Sequence, residues 1–365
     1  MKACILSVQA PRHMVSIAQY WQYFDHHKIP YDIICTDPYG EDDETTAEHI
    51  YKVNTVYAPN ALQKIKNYAR FIYFAKKTLL KQNYDLIVLR NEITAVLFAG
   101  FLCSHYKGKY IVSVKDLFNE HSKIKNANIL TRLLNKVVKG SYLTTVSSPA
   151  FCDFFINKNK SLLVHNISPQ VLPEKRVLTS SDMKKTPIII LYSGHISYPQ
   201  YACKMIDRFK NDNRFFMRVI GNGSESVKKY ADLVGCKNIE VSGGFKSSST
   251  MDVLTTGDIL FNVYGNDNHC EQTALSNKLY YAVCMQIPII VSHSTYMAKV
   301  TTDLGIGFEI DFDSPNDICT QLYDWYRNFD QSKVEHKCEE FRQEALMSHN
   351  NLFEKLNTFF ALKGN

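Results

Sequence analysis

The sequence predicts an α/β protein of two domains, each a parallel sheet flanked by helices. Three observations carry that prediction. The chain has 365 residues, about twice the length of a typical domain. Short β-branched apolar runs alternate with amphipathic helical runs, the pattern of βαβ units and parallel sheets. The pattern also stops and restarts. Residues 171–186 combine Pro173, mixed charge and Thr179-Ser180-Ser181, the composition of a linker. The expected division is 1–170, a linker at 171–186, 187–345, and a last helix at 346–365.

Composition narrows the class. Apolar residues make up 45% of the chain, enough for two cores. No apolar run reaches the ~18 residues of a membrane span. The start, MKACILSVQAPR, has an apolar run of strand length and lacks the long apolar core of a secretory signal. A cytoplasmic location is expected, with the ten cysteines as buried thiols. They form no CxxC pair. His26 and His27, adjacent on a helix, cannot share an ion, so no metal site is expected.

Charge is unevenly spread. The net +6 comes from 42 basic and 36 acidic residues. Residues 61–140 alone carry 15 basic and 4 acidic side chains. A one-sided positive half implies an anionic partner. Nucleic acid is the least favoured one, because no recognised motif accompanies the basic helices.

The first half opens βαβ: a strand at 3–8, a helix from about Val15 to His27, and a buried strand from Tyr31 to Cys35. The first turn, Gln9-Ala10-Pro11-Arg12-His13, lacks GxGxxG, so a dinucleotide is not expected here. Arg12 and His13 are either surface residues or contacts for an acceptor or a phosphate at the helix start. A strand is expected over 51–58. A long helix follows at 61–82, with Leu62, Ile65, Ala69, Ile72 and Leu79 on its buried face. Lys66, Arg70, Tyr73, Lys77 and Lys81 fall on another face. That stripe suits either an anionic membrane surface or plain solvent. Further strands are expected at 84–89, 109–114, 142–146 and 162–164, with helices at 93–104 and about 122–139. Asp116 and Glu120 follow the strand at 109–114, where open α/β sheets bind ligands. They are candidates for acid/base work or for orienting a hydroxyl; a helix cap at Asp116 is the alternative.

In the second half, strands at 187–192, 216–220 and 239–242 each run into glycine: Gly194, Gly221-Asn222-Gly223, and Gly243-Gly244. Glycine there lets a backbone approach a ligand closely. A further strand is expected at 258–263. Then Glu271–Ser292, EQTALSNKLYYAVCMQIPIIVS, reads as a helix, a turn and a buried parallel strand. Its helix N-terminus offers unpaired N–H groups and partial positive charge, a seat for phosphate.

These words resemble glycosyltransferase family 4. Ser276-Asn277-Lys278-Leu279-Tyr280 and Ile287-Pro288-Ile289-Ile290 resemble its donor-site helix and following strand. YSGHI (192–196), VIGNGSE (219–225) and VSGGF (241–245) resemble its donor-domain landmarks, in order and spacing. The segment from Lys115 to Glu120 resembles the DLWPE segment of a branch that builds bacterial surface polysaccharides. The resemblance implies two facing Rossmann-like domains (the GT-B architecture), with a C-terminal helix crossing back to the first. It implies transfer of a sugar from a nucleoside-diphosphate sugar, of UDP or GDP type, with retention and without metal or other cofactor. A lipid-linked saccharide is the implied acceptor, which places the protein at the inner membrane face. Donor contacts carried over residue by residue are Gly194 and His195 below the phosphates, Asn222 and Gly223, and Gly244 and Phe245 at the base. Glu271, Ser276, Asn277, Lys278 and Tyr281 complete the set.

The chain departs from the family pattern at several of these positions. His195 stands where an Arg often follows the SG turn, and Lys204 is the nearest cation. Tyr281 stands where a ribose-holding Glu is usual, and Glu271 lies two residues before the slot of the other Glu. His165-Asn166 replaces Asn-Gly. Two further readings compete with transfer: a nucleotide-sugar epimerase of the same architecture, and a sugar-nucleotide-binding protein that has lost chemistry.

Overall fold

The computed structural model describes residues 1–11, 14–37, 40, 45–55, 60–115, 127–154, 161–167, 174–178, 185–246 and 249–361. The chain divides into two compact units, Met1–Ser168 with Ala345–Asn365, and Pro169–Glu344.

The first unit holds β1 (Ala3–Ser7), α1 (Ala18–His26), β2 (Tyr31–Asp37), β3 (His49–Asn54), α2 (Ala61–Gln82) and β4 (Leu86–Arg90). Then come α3 (Asn91–Leu97), α4 (Ala99–His105), β5 (Tyr110–Val114), α5 (Ala127–Gly140), β6 (Leu143–Val146) and β7 (Ser161–Leu163). The strands form one sheet in the order β3-β2-β1-β4-β5-β6-β7, with every pair parallel. β1, β2, β4 and β5 are buried along their whole length, as expected for apolar strands covered on both faces.

The second unit holds β8 (Ile188–Ser193), α6 (Pro199–Phe209), β9 (Phe215–Ile220), α7 (Glu225–Leu233), β10 (Ile239–Ser242), α8 (Thr250–Leu254) and β11 (Ile259–Asn262). Then come α9 (His269–Thr273), α10 (Asn277–Met285), β12 (Ile289–Ser292), α11 (Tyr296–Leu304), β13 (Gly307–Ile310), α12 (Ile318–Arg327) and α13 (Gln331–Phe359). Its sheet runs β10-β9-β8-β11-β12-β13, again all parallel. Strand order reverses between β8 and β11. In an open parallel sheet the connections leaving those two strands run to opposite faces and leave a crevice for a ligand. Segment 174–178 is tied to this unit: Arg176 donates its backbone N–H to Met285 and its guanidinium to Asp258.

Helix α13 begins in the second unit, where Val334 and Cys338 are core residues. From Ala345 it belongs to the first unit, where Leu352, Leu356 and Phe360 pack with Ile5, Tyr23 and Phe24. The tail is also pinned by polar contacts. The His165 N–H donates to Ser348 Oγ (3.1 Å), His349 Nε2 donates to the His165 carbonyl (3.1 Å), and Tyr142 donates to the Lys355 carbonyl (2.8 Å).

Burial, His349 and the charge of Lys115 push His165 down to about 4 from an ordinary 6.5. The unfolded chain therefore takes up this proton first. The stability due to neutral His165 is complete above about pH 6.5 and is lost as pH falls toward 4, a loss on the order of 3 kcal/mol. His349 is lowered as well. His165→Asn should flatten the acid limb by about 1.4 kcal/mol per pH unit over that window. Urea melts at several pH values check this; an unchanged slope would remove His165 as the cause.

The expected buried face of α2 holds only toward its C-terminal end, where Leu79 is buried and Ile72 half-buried. Leu62 and Ile65 are not buried: each is 63% exposed, and Ala69 is exposed too. The buried residues of α2 are Phe71, Ala75, Thr78 and Leu79. Length explains this. A 22-residue helix is about 33 Å long, whereas the strands it joins, of 6 and 5 residues, span about 17–20 Å. The first turns overrun the sheet. The expected helix at 93–104 is two helices, broken at Phe98. All ten cysteines are free thiols. No helix among the described residues is long and apolar enough to cross a membrane.

Candidate functional site

The carboxyl edge of the second sheet gathers the glycine turns. β8, β9 and β10 end at Ser193, Ile220 and Ser242, so Gly194, Gly221 and Gly243 follow immediately. The turns interlock. The Gly194 N–H donates to the Ile220 carbonyl (3.0 Å), the Ile196 N–H to Asn222 (2.9 Å), and the Gly221 N–H to Ser242 (3.1 Å). Gly194 has φ +97°, and a Cβ there would meet open space. Gly221 is the opposite case: a Cβ would overlap the Gly194 carbonyl. The Asn222 side chain lies against Gly244, in the space a Cβ would need. Gly194, Asn222, Gly223 and Gly244 thus form one ledge of backbone. His195 is exposed on it, and Phe245, half-buried, follows β10.

Across the crevice stands the start of α10. Ser276 is its N-cap, accepting the Lys278 N–H (3.1 Å) and donating to Asn262 Oδ1 (2.7 Å) at the end of β11. Its hydroxyl is therefore spent on structure. Asn277 is the exposed first helical residue. Lys278 sends its ammonium to the Tyr264 hydroxyl (3.4 Å), 5.4 Å from the Tyr192 ring centre and 5.7 Å from that of Tyr264. Two aromatic faces hold the cation in place without neutralising it. Tyr264 is in turn stacked on Tyr198 (5.1 Å). Burial pushes the Tyr192 hydroxyl up, so it stays neutral.

Glu271 turns inward on its own loop, accepting the Asp267 N–H (3.0 Å). It lines a small cavity of about 20 Å³ with Asn262, Tyr264, Gly265, Ser276 and Ser292, room for a single water-sized occupant. Tyr281 packs against the apolar cluster of Leu254, Leu279 and Ile289, and burial raises its hydroxyl. Lys204 is ion-paired with Asp313 (2.9 Å). Arg12, His13, Asp116 and Glu120 lie outside the described residues.

Sequence reasoning missed the tyrosines. Tyr192 is the last residue but one of β8 and Tyr264 follows β11, 72 positions on, and only the strand order brings them together. One local signal was present: Tyr264-Gly265 closes a strand, and the N–H groups of both residues donate to Ser292 Oγ (3.1 and 2.9 Å). The arrangement presents a fixed cation, a helix N-terminus and a bare backbone ledge on one sheet edge. That combination suits a ligand with a compact, multiply charged anionic group.

No protein-family model and no curated protein sequence matches this chain. Solved structures do. Sucrose-phosphate synthase from Thermosynechococcus elongatus superposes with a TM-score of 0.71 at 9% identity, covering 100% of both chains. HepE of Anabaena in complex with UDP gives 0.64 at 10% identity, over 98% of this chain and 100% of that one. The lipopolysaccharide outer core galactosyltransferase WaaB gives 0.60 at 13% identity, over 99% of each. The chain has the two-unit, parallel-sheet GT-B architecture of these glycosyltransferases.

Proposed function

We propose that the protein is a glycosyltransferase that takes a sugar from a nucleoside-diphosphate sugar. The observation that carries this reading is Lys278, an ammonium held between two tyrosine rings beside a glycine ledge at the strand-order reversal. Transfer needs the leaving diphosphate neutralised, the oxocarbenium-like sugar held against its acceptor, and water kept out. Lys278 and the start of α10 take the diphosphate. Gly194 and His195 lie below it, and Asn222, Gly223, Gly244 and Phe245 meet the nucleoside. Tyr281 reaches the ribose only if its hydroxyl leaves the apolar cluster. UDP is the first nucleotide to try, since one structural neighbour binds it; GDP is the second.

The acceptor is a lipid-linked saccharide in surface polysaccharide assembly, a reading supported by the Lys115–Glu120 resemblance and by a structural neighbour that is a lipopolysaccharide outer core galactosyltransferase. Retention of configuration and independence of metal are carried over from the family resemblance. Asp116 orients or deprotonates the acceptor hydroxyl, with Glu120 beside it in sequence, and Arg12 and His13 meet the acceptor or its phosphates. Asp116→Ala should leave donor binding within twofold and abolish transfer, a loss of roughly 10²–10⁴-fold. Calorimetry and product mass spectrometry with extracted lipid-linked acceptors check both halves. Near-normal turnover removes Asp116 from the site, and an epimerised donor formed without acceptor contradicts transfer.

A further inference from the structure

Helix α2 carries an outward face of exposed apolar side chains. Leu62 and Ile65 are each 63% exposed, Tyr73 is 73% exposed and Leu80 57%. At 100° per residue these four side chains fall within an arc of about 80°, on the side away from buried Phe71 and Ala75. Lys66, Lys77, Arg70 and Lys81 occupy the adjoining arc, with Lys76 among the apolar groups. The 22 residues of the helix include six Lys or Arg and no Asp or Glu. Among the described residues Lys66, Lys77 and Lys81 make no ion pair.

A second helix repeats the pattern. On α5, Ile129 is 53% exposed, and Arg132 and Lys136, on the same face at i+3 and i+7, are exposed as well. Topology puts both helices on one side of the sheet. The crossovers β3 to β4 and β5 to β6 both run toward the β7 edge, and right-handed crossovers in the same direction place their helices on the same face. The crossover β1 to β2 runs the other way, and its helix α1 is covered by the tail of α13.

We infer that the α2 face, extended by α5, is a seat for an anionic lipid surface. The apolar groups form a straight stripe about 27 Å long from Leu62 to Leu80, not a groove, and so match a plane better than a partner helix. Cations along one flank match anionic headgroups, each contributing about 1 kcal/mol near the surface. Large apolar groups between them enter the acyl boundary, as a helix lying flat requires. The inference rests on the first unit alone and stands whether or not the chain transfers sugar.

The test is co-sedimentation of the full chain with vesicles of phosphatidylcholine, with and without phosphatidylglycerol. The expected result is binding to the anionic vesicles only, weakened by salt. Two variants separate the two components. Leu62→Ser with Ile65→Ser and Leu80→Ser removes the apolar stripe, and Lys66→Gln with Lys77→Gln and Lys81→Gln removes the charge. Each should lower vesicle binding by roughly tenfold or more with an unchanged melting temperature, since every altered side chain is exposed. Equal binding to neutral vesicles, or wild-type binding by both variants, would overturn the inference. So would capture by a soluble polyanion such as heparin that matches the vesicles and ignores the apolar variant.

Discussion

Lys278→Met should lower kcat/KM for sugar transfer by roughly 10²–10³-fold, the usual loss when one charge-stabilising group is removed from a reacting site. The variant keeps the aliphatic stem between Tyr192 and Tyr264, so packing is retained and only the ammonium is lost. The unmodified side chain makes no ion pair among the described residues; its nearest partners are two ring faces and one phenol oxygen. A cation so placed has its charge available for a diphosphate, and the need rises as the bond to the sugar breaks. Binding of the intact nucleotide sugar should weaken by a smaller factor than turnover falls, because the diphosphate carries more charge in the transition state than in the bound donor. Calorimetry and release of UDP measure the two separately. Turnover within threefold of wild type would show that another group takes the charge.

Gly221→Ala should destabilise the second unit by about 3 kcal/mol or more and remove nucleotide binding. Its Cβ would fall on the backbone carbonyl of Gly194, a residue whose own N–H is tied to the Ile220 carbonyl, so the clash is with backbone rather than with a side chain that can rotate. Two neighbouring glycines serve as controls. A Cβ at Gly243 meets nothing within 4 Å. One at Gly244 meets the Asn222 side chain, which can rotate. Gly243→Ala should therefore cost under about 1 kcal/mol, and Gly244→Ala should weaken nucleotide binding more than stability. Equal melting curves for the Gly221 and Gly243 variants would contradict the interlocked ledge.

The sheet of the second unit was legible in sequence because β-branched runs stop at glycine, and glycine at a strand end has few other uses. Lys278 was legible because it opens a helix directly before Pro288 and a buried strand. The cage around it was not, since Tyr192 and Tyr264 become neighbours only once β8 and β11 pair. Periodicity placed Leu79 in the core of α2 but extended the buried face to Leu62, Ile65 and Ala69, which are exposed. A hydrophobic stripe says which residues share a side, not whether a sheet lies beneath it. Here Leu62 and Ile65 overrun the sheet, and the inward side is held by Phe71 and Leu79. Ser276 shows a related limit: a serine before a helix reads equally as a ligand contact and as a cap, and its bonds to Asn262 and to the Lys278 N–H make it a cap.

The most direct measurement is a crystal of the full chain soaked with UDP and then with UDP-sugars, repeated with the GDP series. Diphosphate density is expected on the carboxyl edge of the second sheet, with phosphate oxygens within hydrogen-bond reach of Lys278 Nζ and of backbone N–H groups near Gly194. Well-ordered nucleotide bound elsewhere on the chain, or no binding by either series in solution, would contradict it.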